Sequence, residues 1–353
     1  MRTKIILYNF LTMIAGVTLA SGFLGLLGIA APADLFQIFT SPVMMAYWAV
    51  GIGLTFLLRA VFFAKINRWM QSRSEKDMEP AQKAMIVYQK LSIYLPILLS
   101  LVFGLAMKST VDAYRVGEAG KLWMFSLSFT FLVSLFFYIL FLQELEFYTW
   151  DLPFSDKHRS MPYLTRNLLI TGFTSIGSII LVIMAVMVPL RIHGMEDMAR
   201  LNTAIIPTVV FAFVFVVLDN FLLAKGVNHR LSAVRDFTRD LAEGSLKGKS
   251  LPTMSRDEFG ELIDSCNRTR SYLHTLAEGL KSAVMEARST GDSLGVTTRQ
   301  TGEALISIRT DATEVDRSMK VMTREVESAK GLLDSLTGGI VSVVSHIDEQ
   351  AAM

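Results

Sequence analysis

Few side chains in this sequence are spaced for chemistry. The five histidines, His158, His193, His229, His274 and His346, are scattered, so no two form the i, i+4 pair of a metal-binding helix. There is no Cys/His cluster, no phosphate-cradling glycine loop and no nucleophile set beside a base. The single cysteine, Cys266, excludes an intrachain disulfide and cannot hold a metal alone; a small residue in a helix seam is its plain reading. The sequence therefore points to no enzyme, no catalytic residue, no metal and no cofactor. What remains are polar groups where they cost most, inside long apolar runs. Asp219 and Asn220 sit one turn before the end of the last such run, and Arg59 near the end of the second. They form either a polar switch with Arg59 as partner, or a pair close enough to headgroups and water to need no role.

The elements that position these groups are membrane helices. The chain has 353 residues, 52% of them hydrophobic, with a mean hydropathy of +0.43, too apolar for a soluble protein of this size. Nearly all the long apolar runs fall before Ala224. Six stretches reach the roughly 20 residues a bilayer core demands: Ile5–Ala30, Val43–Ala64, Leu91–Met107, Leu122–Leu142, Leu168–Leu190 and Ala204–Ala224. The third is interrupted by Pro96 and should begin nearer Met85. The expected fold is an all-α membrane protein: a six-helix bundle (1–226), a linker domain (227–277) and a coiled-coil stalk (278–353). Gly22, Gly25 and Gly28 form a small-residue stripe in the first run and Gly172 and Gly177 a looser one in the fifth, both suited to close helix packing.

Lys and Arg placement predicts orientation. Arg2 and Lys4, then Lys65, Arg68, Arg73, Lys76 and Lys83, then Lys157, Arg159 and Arg166, then Lys225, Arg230, Arg235 and Arg239 fall on one side. The other side has Lys108, Arg115, Lys121, Arg191 and Arg200. Both termini are thus expected in the cytoplasm, in a multi-pass inner-membrane protein. Trp69, Trp123 and Trp150 lie near run ends, and Phe147–Phe154 is expected along the inner surface. The outer loops leave no room for a folded ligand-binding domain, so any sensor is the bundle itself. A net charge of +2 carries no nucleic-acid message.

Past the sixth run, Val227, Leu231, Val234, Thr238 and Leu241 repeat at steps of four and three, a helix seam that should stop at Gly244. Leu246 and Leu251 stand alone in a polar connector, placed to dock it onto a bundle. Ser255-Arg-Asp-Glu258 then reads as a capping box, with Ser255 accepting from the Glu258 backbone and Glu258 reaching back. A second seam follows through Leu262, Cys266, Thr269, Leu273 and Leu276.

Residues Leu231 to Leu276 resemble a HAMP domain, the linker of bacterial chemoreceptors, sensor kinases and some cyclases. The matching positions are Gly244, Leu246, Leu251, the block Asp257-Glu258-Phe259-Gly260-Glu261-Leu262, and Asn267. Phe259 replaces the usual branched aliphatic, and Thr269 takes a position usually held by Met. The resemblance implies a parallel four-helix bundle formed by two chains of a homodimer, whose packing the sixth span biases.

The apolar seam runs on through Leu280, Ala283, Ala287 and Leu294, then from Leu305 to Ile347, with a phase slip between Thr290 and Thr298 that should loosen a supercoil. This long helix resembles the cytoplasmic stalk of methyl-accepting chemotaxis proteins. Glu349 and Gln350 are similar to the start of its adaptation segment, where such residues are methylated or deamidated; a solvated face is the plainer alternative. The resemblance implies a homodimer in the bilayer, possible higher arrays, and control of a histidine kinase and coupling protein through a hairpin tip not in this sequence, as in a truncated chain. A class III nucleotide cyclase lacking its catalytic domain is the alternative. A transporter would need a polar pathway across several spans, which the sparse intramembrane charge does not supply.

Overall fold

The computed structural model describes residues 2–26, 32–111, 122–153, 157–193, 198–246, 250–252 and 255–352. Among them every long element is a helix and there is no strand. Six helices are long and apolar enough to cross a bilayer: Arg2–Leu26, Pro42–Ser72, Glu75–Met107, Trp123–Tyr148, Tyr163–Val188 and Asn202–Ala242. They are the first to sixth spans below, and the protein is an all-α, multi-pass membrane protein. Of the residues used above, Gly28, Ala30, Arg115, Lys121 and Phe154 lie outside the described residues, as do the side chains of Lys108, Leu122, Arg191 and Arg200.

Several spans run beyond their apolar cores. The third starts at Glu75 because Ala81, Met85 and Tyr88 continue its buried face at helical spacing while Glu75, Lys76 and Lys83 point outward. It also passes through Pro96 without ending. Proline there withholds the donor for the Ser92 carbonyl; the Ser92 hydroxyl meanwhile accepts from Asn9 Nδ2 at 2.7 Å. The second and fourth spans each contain a π turn, Arg59–Phe63 and Thr130–Ser134, a one-residue widening that often marks functional helices.

The fourth span is the axis. Its most apolar window is 78% buried against 17% for the sixth, and it packs on the first, third, fifth and sixth spans. Close approach on this axis falls to three glycines. A Cβ on Gly16 would lie 2.8 Å from Thr130 Cα, on Gly104 2.4 Å from Trp123 Cα, and on Gly177 2.7 Å from Phe131 Cβ. The stripe expected from sequence is only partly used, since Gly22 and Gly172 face nothing within 4 Å. Aromatic rings fill the rest of the shared core: Phe23, Phe129 and Phe211 are mutually 4.8 to 5.2 Å apart by centroid.

The sixth span continues unbroken to Ala242 and ends as expected at Gly244. Gly244 N–H donates to Leu241 O at 3.1 Å and Ser245 N–H to Asp240 O at 2.8 Å, the paired bonds of a Schellman motif. Gly244 has φ +74°, open to glycine without a Cβ penalty. The chain then returns toward the bundle and starts a helix, Glu258–Ala351, of 94 residues.

Residues 275–353 form a second unit, helical up to Ala351. The helix is uninterrupted through Gly291 and Gly295. Its seam side chains, including Leu280, Leu294, Ile308, Val315, Met322 and Leu336, are exposed in the single chain.

Candidate functional site

The end of the bundle that carries Arg2 closes over a buried group of charges. Glu146 lies in the last turn of the fourth span, Arg166 in the first turn of the fifth, and Arg230 on the extension of the sixth. Asp257 precedes the long helix. Arg166 Nη1 is 3.5 Å from Glu146 Oε1, and its Nη2 is 3.0 Å from Asp257 Oδ2. Arg230 bonds Glu146 through Nη2 and approaches Asp257 Oδ2 to 3.6 Å with Nη1. Two guanidiniums thus alternate with two carboxylates, all four buried. Each ion has partners on two different segments, so no single segment can leave without stranding a charge.

Arg256 adds a fifth buried charge, and among the described residues no carboxylate bonds to it. Its Nη1 donates to Pro153 O and its Nη2 to Leu152 O, both at 2.7 Å, and its Nε approaches Met85 Sδ at 3.3 Å. Burial pulls this guanidinium down to about 10, with Glu146 acting in the opposite direction. That is still far above neutrality, so a full positive charge rests on two loop carbonyls. The loop is bent to receive it. In the segment after Tyr148, Leu152 is fully buried against the bundle while Trp150 is exposed. The reason is local: Thr149 N–H closes on Leu145 O at 3.0 Å and Leu152 N–H on Thr149 O at 3.0 Å, curling the chain inward.

The start of the long helix is clamped to the same loop. Ser160 N–H donates to Arg256 O at 2.9 Å, Tyr163 N–H to Glu258 Oε2 at 2.6 Å, and Arg159 pairs with Glu261 at 3.0 Å. Phe259 meets Tyr163 edge-on, centroids 5.1 Å apart, and Arg230 stands 5.7 Å from the Phe259 ring centre. Glu258 therefore caps the fifth span rather than reaching back to Ser255. The capping box is replaced by a different cap: Asp257 Oδ1 accepts from Phe259 N–H at 3.1 Å and from the Ser255 hydroxyl at 2.6 Å. Asp257 is both helix cap and ion-network member, one oxygen for each task.

From there the two helices run parallel. Arg230 sits beside Asp257 and Phe259; farther along, Arg270 sits 4.9 Å from the Phe237 ring centre and 3.6 Å from Asp240. Asn267 holds the connector between them, accepting from Leu251 N–H at 2.7 Å and donating to Leu251 O at 2.9 Å. Leu246 and Leu251 are half-buried, Gly260 is buried, and Leu262 is exposed. Of the first seam, Leu231 and Thr238 are exposed and Val227, Val234 and Leu241 half-buried, whereas Phe237, which that seam leaves out, is buried.

The intramembrane polar trio is not assembled. Asp219 is buried, and neither carboxylate oxygen has a hydrogen-bond partner. Asn220 is exposed and donates to Val216 O at 2.8 Å, while Arg59 is exposed beside Arg2 and Asn67. Glu349 and Gln350 are exposed on the long helix. Among the described residues no His, Cys, Asp and Glu side chains gather as a metal site. Sequence reasoning did not find Glu146 or Arg256 and counted Arg166 and Arg230 only as topology charges. The usable signal was Glu146, an acid among the basic residues at that end of the spans.

No protein-family profile matches the chain, and no solved structure does. Over 87 residues it is 36% identical to methyl-accepting chemotaxis protein TlpQ of Pseudomonas aeruginosa, covering 24% of this chain and 12% of that protein. The similar segment thus spans about an eighth of the length of that curated relative.

Proposed function

We propose that this chain is a chemoreceptor-type signal transducer whose membrane bundle senses a stimulus in or near the bilayer. Residues 227–277 act as a HAMP relay, and residues 278–353 begin a parallel homodimeric coiled coil that controls a histidine kinase and coupling protein. The observation that carries this reading is the shared ion network, in which three spans and the start of the long helix hold the same four charges. A shift of the sixth span moves Arg230 against Asp257, and Asp257 is the cap of the output helix. The partial likeness to a methyl-accepting chemotaxis protein supports the same class.

The exposed apolar seam of the long helix supports the homodimer, since a lone helix of this length leaves that stripe in water. Its 94 residues favour a receptor stalk over the cyclase alternative, where a short connector would lead to the catalytic domain. On this reading Glu349 and Gln350 open an adaptation segment, the termini are cytoplasmic, and the protein is no enzyme.

The test uses the intact receptor in cells. Gly260→Leu, at a buried position beside the network, should fix or abolish the response while the protein stays in the membrane. In a Cys266→Ser background, Leu273→Cys and Val315→Cys should each crosslink between chains. A normal stimulus response with Gly260→Leu, or monomer only after oxidation, overturns the proposal.

A further inference from the structure

Among the described residues the ion network leaves one buried acid unused. Asp219 is 1% exposed and both its oxygens are without a hydrogen-bond partner. Its surroundings can be placed from its neighbours on the sixth span. One turn earlier Phe215 packs on Phe136, and one turn later Leu222 O accepts from Gln143 Nε2 at 3.0 Å. Asp219 therefore faces the middle of the segment 136–143 of the fourth span, within the apolar interior. The outward residues Val217, Leu218 and Phe221 are exposed around it.

The groups that face this region from the packed elements are few. The fourth span carries Tyr138, Glu144, Glu146 and Tyr148, the fifth Tyr163 and Arg166, and the sixth itself Lys225, His229 and Arg230. Tyr8 of the first span reaches the groove beside Leu140, Gln143 and Lys225. None of them bonds to Asp219. Glu146, Arg166 and Arg230 are committed to one another and to Asp257. A carboxylate without donors in an apolar interior costs several kcal/mol, and the group avoids that by neutralising. A hard cation would need about six oxygens, and no group of three or more His, Cys, Asp or Glu side chains gathers as a metal site among the described residues. A proton removes the charge with no second ligand.

We propose that Asp219 is a proton-binding site: the carboxyl is neutral while the sixth span is packed as here, and releases its proton to water when that span shifts and wets it. The O–H bond breaks, the carboxylate stays on the helix, and the proton leaves as hydronium. The same displacement of the sixth span moves Arg230, so proton release and the ion network are coupled through one rigid helix. The coupling to output rests on the function proposed above; the proton itself does not.

Infrared difference spectroscopy of the whole protein in lipid nanodiscs, wild type minus Asp219→Asn, tests the site at neutral pH without any output assay. A protonated carboxyl C=O band missing from the variant is expected, and a lipophilic carbodiimide should modify Asp219 of the wild-type protein, read by peptide mass spectrometry. A carboxylate band alone assigned to Asp219, or no modification while Asp219-containing peptide is recovered, overturns the proposal. In cells, the stimulus dose giving half-maximal output should shift severalfold per pH unit for wild type and not for Asp219→Asn. A shift retained in the variant overturns the coupling and leaves the infrared result to judge the site.

Discussion

Asp257 Oδ2 lies 3.0 Å from Arg166 Nη2, although 91 residues separate them in sequence. Both side chains are buried, and the second oxygen of Asp257 caps the helix that Arg166 does not belong to. A charge pair of this kind adds little net stability compared with an apolar pair of equal size, but removing one partner strands the other. Its contribution is to specify one arrangement of the spans and the long helix.

The ion network should behave as a unit. Asp257→Asn keeps a cap acceptor and leaves two guanidiniums to share Glu146, at a cost of about 3 kcal/mol in docking of the segment after Ser255. Arg166→Gln alone should cost a similar amount, and the double variant markedly less than the sum. Hydrogen exchange at the start of the long helix measures all three; additivity to within about 0.5 kcal/mol would mean the pair is not coupled.

Asn267 is expected to hold the connector almost by itself, through the bonds of 2.7 and 2.9 Å to Leu251. Asn267→Ala should raise exchange of the Leu251 amide by about tenfold, corresponding to roughly 1.4 kcal/mol. Membrane insertion should not change. An unaltered Leu251 exchange rate would show that the half-buried Leu246 and Leu251 dock the connector without the asparagine.

Cys266 offers a pH-dependent readout of the same region. Partial burial pushes its thiol above the ordinary cysteine value, and the nearby Arg270 only partly offsets this. The thiolate is the reactive form, so a raised value means slower alkylation at a given pH. Iodoacetamide should label Cys266 more slowly than free cysteine at pH 8, with the rate still rising above the pH where free cysteine levels off. Equal rates would show that the helix seam does not shield the thiol.

What the sequence revealed and what it withheld follow from range. The six spans were legible because each is a continuous apolar run, and Gly244 because a positive φ restricts the choice of residue. The parallel helix pair was implied by the HAMP resemblance, on positions such as Asn267 that the structure gives a definite bonding task. Glu146, Arg166, Arg230 and Asp257 were not legible as a group. Basic residues at the ends of membrane helices already have an explanation in headgroup attraction, and nothing local ties them to a carboxylate two helices away. The cap was misread for the same reason: Glu258 was assigned its nearest partner, Ser255, and the fold offered it the Tyr163 amide.

The loop at Leu152 and Pro153, which receives the Arg256 guanidinium on two carbonyls, bears on how such proteins recombine. A chimera spliced between residues 226 and 227 would bring a foreign segment to this bundle and orphan that loop. Such an exchange would succeed only where the incoming segment presents an arginine before its acidic cap, or where the loop travels with it. Exchange at this junction is thus constrained by a lock in the connector between the fourth and fifth spans, far in sequence from the cut.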